Sequence, residues 1–409
     1  MFSWPSNNIV HSGVLMALLL TVLACQYPSP ALADTSEALG DQLMGEGRYR
    51  LAVEAYELAV HKQNKSPDRQ RKLAAAYVKD EQLTQAVAAY ERAISLRADY
   101  AKARTELAIL LTRLDRHDEA VAILEKAVEL SPDYPWAHMS LGLLYFSKGR
   151  YDAAITAYRR AIKALPNYGE AWYNLGEVQR KKNNYDAAEQ AYRQAIRADS
   201  TVAKYRNGLA TSYYRRRDYT AAAAELMRAV QLDSLYARAR FNLGNALLRS
   251  GKPDEGRRQL DLYRRLDEEE REIFALKNTL LITPDKAELY HDIGRAYARR
   301  GQHDQARIHY LQAITRDSSF APSYHNLGNT HLRQGQINKA IGLFHRALRA
   351  DSTYVLSHLA LGNAYMRTRQ ATQALASYRR GLQIDPNNAQ LRRNAAMVQQ
   401  ILAAAKKPD

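Results

Sequence analysis

The sequence holds a single cysteine, Cys25, in 409 residues. Without a second thiol no disulfide closes within the chain, and a Cys-based zinc site is excluded. Charged side chains are absent from Met1 to Ala33, where no Lys, Arg, Asp or Glu occurs. Within that stretch Val14 to Cys25 is apolar apart from Thr21. A helix of that length reaches only about 18 Å, short of the ~30 Å hydrocarbon core of a bilayer, so a secretory signal fits better than a membrane span. Catalytic signatures are missing too. There is no His-Glu-x-x-His, no Gly-rich phosphate loop with Lys and no Gly-x-Ser-x-Gly, which removes the usual zinc-peptidase, nucleotide-hydrolase and serine-hydrolase readings. His303 and His309, six apart, fall on different sides of a helix, so they are read as solvated surface and no metal or cofactor is expected.

Two processing sites compete at the amino terminus. Ala31-Leu32-Ala33 has the small-x-small form that would free a chain starting at Asp34, with 1–33 as the signal. Val22-Leu23-Ala24-Cys25 resembles a relaxed bacterial lipobox, in which Cys25 would carry lipid. Both send the chain to the periplasm or the periplasmic face of a membrane, touching lipid only through signal or anchor.

What the chain does have is apolar content and positive charge. Hydrophobic residues make up 46%, ordinary for a folded protein, and 59 Lys+Arg against 43 Asp+Glu give a formal charge of +16. Such an excess favours acidic partners; solvated outer helix faces explain it equally well.

The dominant pattern is a period of 34. Leu141-Gly142, Tyr145, Tyr151, Ala154, Tyr158 and Ala161 are answered one period later by Leu175-Gly176, Gln179, Tyr185, Ala188, Tyr192 and Ala195. The small residue after Leu recurs at Gly40, Ala74, Ala108, Gly142, Gly176, Ala210 and Gly244, and its companion at Ala52, Ala86, Ala120, Ala154, Ala188, Ala222 and Gly256. Each set lies on one helical face, so each unit reads as two helices whose small residues allow close approach while an aromatic or aliphatic residue fills the remaining gap. No unit buries both its faces alone, so neighbours must stack. The seventh unit departs from the pattern: Tyr263 stands where a small residue is due, and ordinary packing of its second helix is not expected. The next small residue, Gly294, lies one period plus 16 beyond Gly244. The added stretch begins with Asp267-Glu268-Glu269-Glu270-Arg271-Glu272. Ile273, Leu276 and Leu280 then share a face before Pro284, which predicts an inserted helix or a long extension of the preceding one. Units anchored by Gly294, Gly328 and Gly362 follow, then an amphipathic stretch over Asn388 to Ala405.

This period and order of small and aromatic residues resemble the tetratricopeptide repeat (TPR), over roughly Asp34 to Ala405. The resemblance implies an all-α solenoid, a right-handed superhelix of about ten helix pairs. Its expected divisions are a signal at 1–33, seven units at 34–266, an inserted helical segment at 267–286, three units at 287–388, and a capping helix with tail at 389–409. In some glycosyltransferases such a superhelix precedes a catalytic part. None follows the last expected helix here, so no enzymatic activity is expected.

TPR proteins hold peptides in a groove lined by the first helices, and two columns of this chain map there. One is cationic: Lys79, Arg113, Lys181, Arg215, Arg249, Arg299, Arg333 and Arg367, interrupted by Ser147. Guanidinium groups in a row suit carboxylates or phosphates, although idealised TPR sequences often carry Lys at this station. The other is amide: Asn174, Asn242 and Asn326 before the Leu-Gly pair, Asn245, Asn329 and Asn363 after it. By resemblance these bond to a ligand's backbone, donating and accepting with one side chain. Phe241, Leu359 and Ala360 replace the cations of the chaperone-binding clamp, so a chaperone tail is not the expected partner. Tyr100, Tyr134, Tyr168, Tyr236, Phe320 and Tyr354 precede new first helices and are expected to pack there with their hydroxyls reaching water. The expected role is a non-catalytic scaffold of the cell envelope for an acidic protein or peptide. The alternative is an anionic polymer, an envelope glycan or nucleic acid, the latter rarely met by an exported chain. Oligomeric state does not follow from the pattern.

Overall fold

The computed structural model describes residues 30–63 and 65–405. The apolar N-terminal run and Cys25 lie outside the described residues. The described chain falls into two compact units, one reaching to Ser234 with Arg249–Gly251, the other Leu235–Leu248 with the chain from Lys252 onward.

The first unit contains six helix pairs: α1 Pro30–Gly45 and α2 Tyr49–Lys62; α3 Pro67–Lys79 and α4 Leu83–Leu96; α5 Ala101–Arg113 and α6 His117–Leu130; α7 Pro135–Ser147 and α8 Tyr151–Ala164; α9 Gly169–Lys181 and α10 Tyr185–Ala198; α11 Ala203–Arg215 and α12 Tyr219–Leu232. The second contains four pairs, the first of them without the last residue of its α13, and a last single helix: α13 Ala237–Arg249 and α14 Pro253–Ile282; α15 Ala287–Arg299 and α16 His303–Arg316; α17 Ala321–Arg333 and α18 Ile337–Ala350; α19 Val355–Arg367 and α20 Ala371–Ile384; and α21 Ala389–Ala404. No strand occurs among the described residues. The expected Ala33/Asp34 junction falls in the first turns of α1, and Ala33 is fully buried.

Three residues turn the chain between the helices of a pair, and the middle one is left-handed. Gly47, Gly149, Gly251, Gly301 and Gly335 occupy this station without cost, but so do Glu81, Asp115, Asn183, Arg217 and Arg369 at φ 59 to 65°. A side chain there is strained by roughly 1–2 kcal/mol. The period sets this turn even where the residue resists it.

Where the filler is aromatic, its ring lies against the small residue of the first helix of its pair. A Cβ placed on Gly142 would stand 2.5 Å from Tyr158 Cε1, and on Gly362 only 2.2 Å from Tyr378 Cε1. On the second helices Ala154, Ala161, Ala188, Ala195, Ala306, Ala340 and Ala374 are fully buried. In the first, fifth and tenth pairs the ring's polar end is provided for by the residue after the small one. Tyr56 donates to Asp41 (2.6 Å), Tyr192 to Glu177, and Tyr378 to Asn363 (2.7 Å). In the fourth pair that residue is Leu143, and the Tyr158 hydroxyl is buried with no hydrogen-bond partner among the described residues.

The inserted stretch does not form a separate helix. It lengthens α14 to 30 residues with no break at 266/267, and the helix ends at Ile282, ahead of Pro284. Along α14 only Gly256 and Ile273 are buried, so the second helix of this pair is thinly packed. Tyr263 turns its ring to Phe241, 5.1 Å away. Over the extension Ile273 is covered and Leu280 packs with Ala287, Tyr290 and Ala313. At the other end α21 seals the last pair with Leu391 and Val398, both fully buried.

In each unit some consecutive first helices touch: α5 meets α7, α7 meets α9 and α9 meets α11 in the first, α15 meets α17 and α17 meets α19 in the second. No two second helices approach as closely. The first helices therefore line the inner side of each unit.

Candidate binding groove

All eight residues of the cationic column are exposed on these inner helices: Lys79, Arg113, Lys181, Arg215, Arg249, Arg299, Arg333 and Arg367. They are not equivalent. Arg113 pairs with Glu81, and Arg299 with Glu272 from the extension of α14. Arg333 and Arg367 have no carboxylate partner among the described residues.

The asparagines differ from the simple expectation, because each with a defined bond is already engaged inside the fold. Asn174 and Asn245 donate back to the carbonyls of Glu170 (2.8 Å) and Phe241 (3.0 Å) one turn earlier. The Asn363 carbonyl accepts both the Tyr378 hydroxyl and, at 3.0 Å, the amide of Asn394 in α21. Asn242 is half-buried and has bonding partners of its own. Asn363 thus has the same structural task as Asp41 and Glu177. Asn245 and Asn329 stand at that same station, but their fillers are Leu260 and Phe344, which carry no hydroxyl. Their amides are released for other bonds.

In the second unit the release leads to a buried polar layer that the sequence reading missed. His291 in α15 approaches Ser323 Oγ of α17 through Nδ1 (3.0 Å), and its Nε2 accepts from the Asn326 amide (3.4 Å). One pair later, His325 reaches Ser357 Oγ of α19 (3.1 Å) and accepts from Asn329 (2.9 Å). An amide nitrogen only donates, so Nε2 is the bare nitrogen and Nδ1–H donates to the serine. Phe320 and Tyr354 stand edge-on to the two rings at 5.3 and 5.4 Å. Burial holds both histidines well below the usual range, at about 4, so they are neutral and fix the asparagines without adding charge. The signal was in the sequence: His three places before the small residue, answered by Ser five places before the next one, occurs twice.

Four of the expected residues come together. Arg299, Arg333, Asn326 and Asn329 line one cleft of about 400 Å³ between α15 and α17, joined by Arg295, Thr330, His303 and Tyr310. Burial pushes the Tyr310 phenol up to about 12, against the opposing pull of Arg295, Arg299 and Arg333, whose charges converge on it. Arg295 was not singled out from sequence because it occupies the station that elsewhere accepts a tyrosine hydroxyl.

Two expectations need correction. His309 is not solvated surface: it is half-buried, stacked on Tyr297 at 5.4 Å, and depressed to about 4 first by burial and then by Lys277. His303 has its Nδ1 buried in the wall of the cleft. Nor do the entry aromatics all keep their hydroxyls in water, since Tyr100 donates to Asp68 and accepts from Arg71 Nε at 2.9 Å. Among the described residues no group of His, Cys, Asp or Glu could hold a metal ion. No helix there is long and apolar enough to cross a membrane.

Family models described as tetratricopeptide repeat match residues 72–100, 99–167, 139–203, 207–270 and 325–389, and one described as TPR repeat matches 294–335. The chain belongs to the tetratricopeptide repeat family. No curated protein matches the sequence. Among solved structures it is similar to PilF of Pseudomonas aeruginosa, with 18% identity over 51% of this chain and 95% of that one at a TM-score of 0.45. It is similar to PilW, a type IV pilus biogenesis factor, with 19% identity over 53% and 98% at 0.45. YrrB, a TPR protein with an unusual peptide-binding site, matches with 19% identity over 57% and 95% at 0.29.

Proposed function

We propose that this protein is a non-catalytic scaffold of the bacterial cell envelope that holds an acidic segment of a protein or peptide along its first helices. The observation that carries the reading is the cleft between α15 and α17, where Arg299, Arg333, Asn326 and Asn329 converge from two expected columns. Arginine suits this task because its planar fork grips a carboxylate through two parallel bonds. An envelope location rests on the stretch from Met1 to Ala33, which lacks charged side chains and contains the apolar run. Mass spectrometry of the mature amino terminus tests it, with a lipidated Cys25 or a free Asp34 as the supporting results and an intact Met1 as the opposing one.

The partner is sought by crosslinking in the native cell, with a photoreactive residue at position 330 of the full chain. A discrete adduct that disappears when Arg299, Arg333 and Arg367 are changed to Ala supports the groove. Unchanged recovery of every adduct overturns it. A second reading, an anionic polymer, draws support from the first unit, where Arg193, Arg197, Arg206 and Arg228 surround a cleft of about 250 Å³ and outnumber Glu225, which pairs there with Arg206 and Arg228. Polymer binding weakens steeply and log-linearly with salt, whereas a peptide held by amides and one or two arginines depends on salt much less.

A further inference from the structure

The extension of α14 lies against the basic cleft, and its carboxylates do two different things there. Glu269 sits 4.0 Å from Arg300, whose side chain is only 9% exposed. With Ile273 buried and Lys277 Nζ donating to Tyr297 (2.8 Å), this end of the extension is anchored to α15. Glu272 instead pairs with Arg299 in the open, both side chains nearly half exposed. Ion pairs that wet contribute little and exchange readily. Arg333, across the cleft, has no carboxylate partner among the described residues.

We propose that Glu272 is a built-in counter-ion for this cleft, and that an acidic peptide binds by taking Arg299 from it while engaging Arg333. This deepens the scaffold reading and rests on it. Glu272 is the molecule's own demonstration that a carboxylate fits at Arg299, which is why carboxylate is favoured over phosphate. The inserted stretch thereby acquires a role: the anchored part holds the competitor in place, and the competitor screens Arg299 from weakly acidic segments until one with several carboxylates displaces it. Without Glu272 the cleft would present three converging guanidinium groups, since only Asp292, at 3.4 Å, otherwise offsets Arg295.

The test uses the full chain and fluorescein-labelled octaglutamate, with octaglutamine and a phosphoserine octapeptide as comparators, by anisotropy at low salt where surface charge is weakly screened. Glu272→Gln should tighten octaglutamate binding about threefold. Arg333→Ala should weaken it about tenfold. Glu270→Gln removes the same charge from an exposed side chain that makes no ion pair among the described residues, and should have a distinctly smaller effect. Equal tightening by Glu270→Gln and Glu272→Gln would overturn the counter-ion role, as would no tightening by Glu272→Gln. Phosphoserine peptide binding tenfold tighter than octaglutamate would overturn the carboxylate assignment. Circular dichroism melts of each variant guard against loss of fold. If octaglutamate fails to bind while the adduct at position 330 still depends on the arginines, this inference falls and the scaffold reading stands. If that adduct is also indifferent to them, both fall.

Discussion

The two units share one helical scaffold and treat the polar groups on their inner helices in opposite ways. In the first unit charge is cancelled by charge. Arg69, buried at 6% exposure, is held by Asp34 and Glu37; Lys72 meets Glu37 and Asp41; Arg71 meets Glu106; Arg206 meets Glu225. In the second unit the corresponding helices carry neutral Ser-His-Asn layers, and the arginines at the rim keep most of their charge. Buried ion pairs and neutral hydrogen-bonded layers can both satisfy an interior. In the second unit this leaves Arg333, in the cleft between α15 and α17, without a carboxylate partner among the described residues.

That difference can be broken most forcefully at Glu37. Changing Glu37 to Ala leaves the buried Arg69 guanidinium with Asp34 as its remaining carboxylate and should cost about 3 kcal/mol, read by chemical denaturation of the full chain, with protection from hydrogen exchange lost in α1 to α4 first. A cost below about 1 kcal/mol would show that Asp34 alone suffices.

Acid should separate the units next. His291 and His325 are depressed to about 4 by burial, so between pH 6.5 and 4 the unfolded chain takes up protons that the folded chain refuses. Stability contributed by the neutral layer is complete above pH 6.5 and is lost as pH falls through that window, on the order of 3 kcal/mol for each histidine. Glu37 and Asp41 are shifted down despite burial, by hydrogen bonds and attraction from Lys72 among others. Their contribution is present above the ordinary values of 4.5 and 3.8 and fades only as pH drops further. Hydrogen exchange at pH 5 should therefore show α15 to α19 loosening while α1 to α5 stay protected.

Packing of the small stations should be indifferent to the unit. Ala154→Leu in the first and Ala306→Leu in the second should each overpack a fully buried site and cost about 1–3 kcal/mol. A tenfold disparity in unfolding constant between them would mean that the units differ in more than their polar groups.

The smallest effect is a gain. Leu143 stands where Asp41, Glu177 and Asn363 accept a tyrosine hydroxyl, and it is 43% exposed while Tyr158 keeps a buried hydroxyl with no hydrogen-bond partner among the described residues. Leu143→Glu should provide the acceptor and raise stability by about 1 kcal/mol, with Tyr158→Phe in the same background removing the gain. No change in melting would show that water reaches the hydroxyl.

Much of this molecule was determined by sequence alone. Period, helix faces, small stations and the presence of added helical residues after the seventh pair follow from local rules: one face must be apolar, and close helices need small residues. Fusion of those added residues to the preceding helix was one of two open alternatives. The cationic column was legible for the same reason, since one station per period falls on one edge. What tertiary structure decided was the state of each polar group. Whether Asn363 or Asn329 is bound inward depends on whether the filler from the second helix of its pair carries a hydroxyl and on which histidine lies beneath. Whether Arg299 or Arg333 is neutralised depends on where a distant helix places a carboxylate. Periodicity assigns a residue to a face, but hydrogen bonds and charges are settled by neighbours far away in the chain, and those meet only when the pairs have stacked.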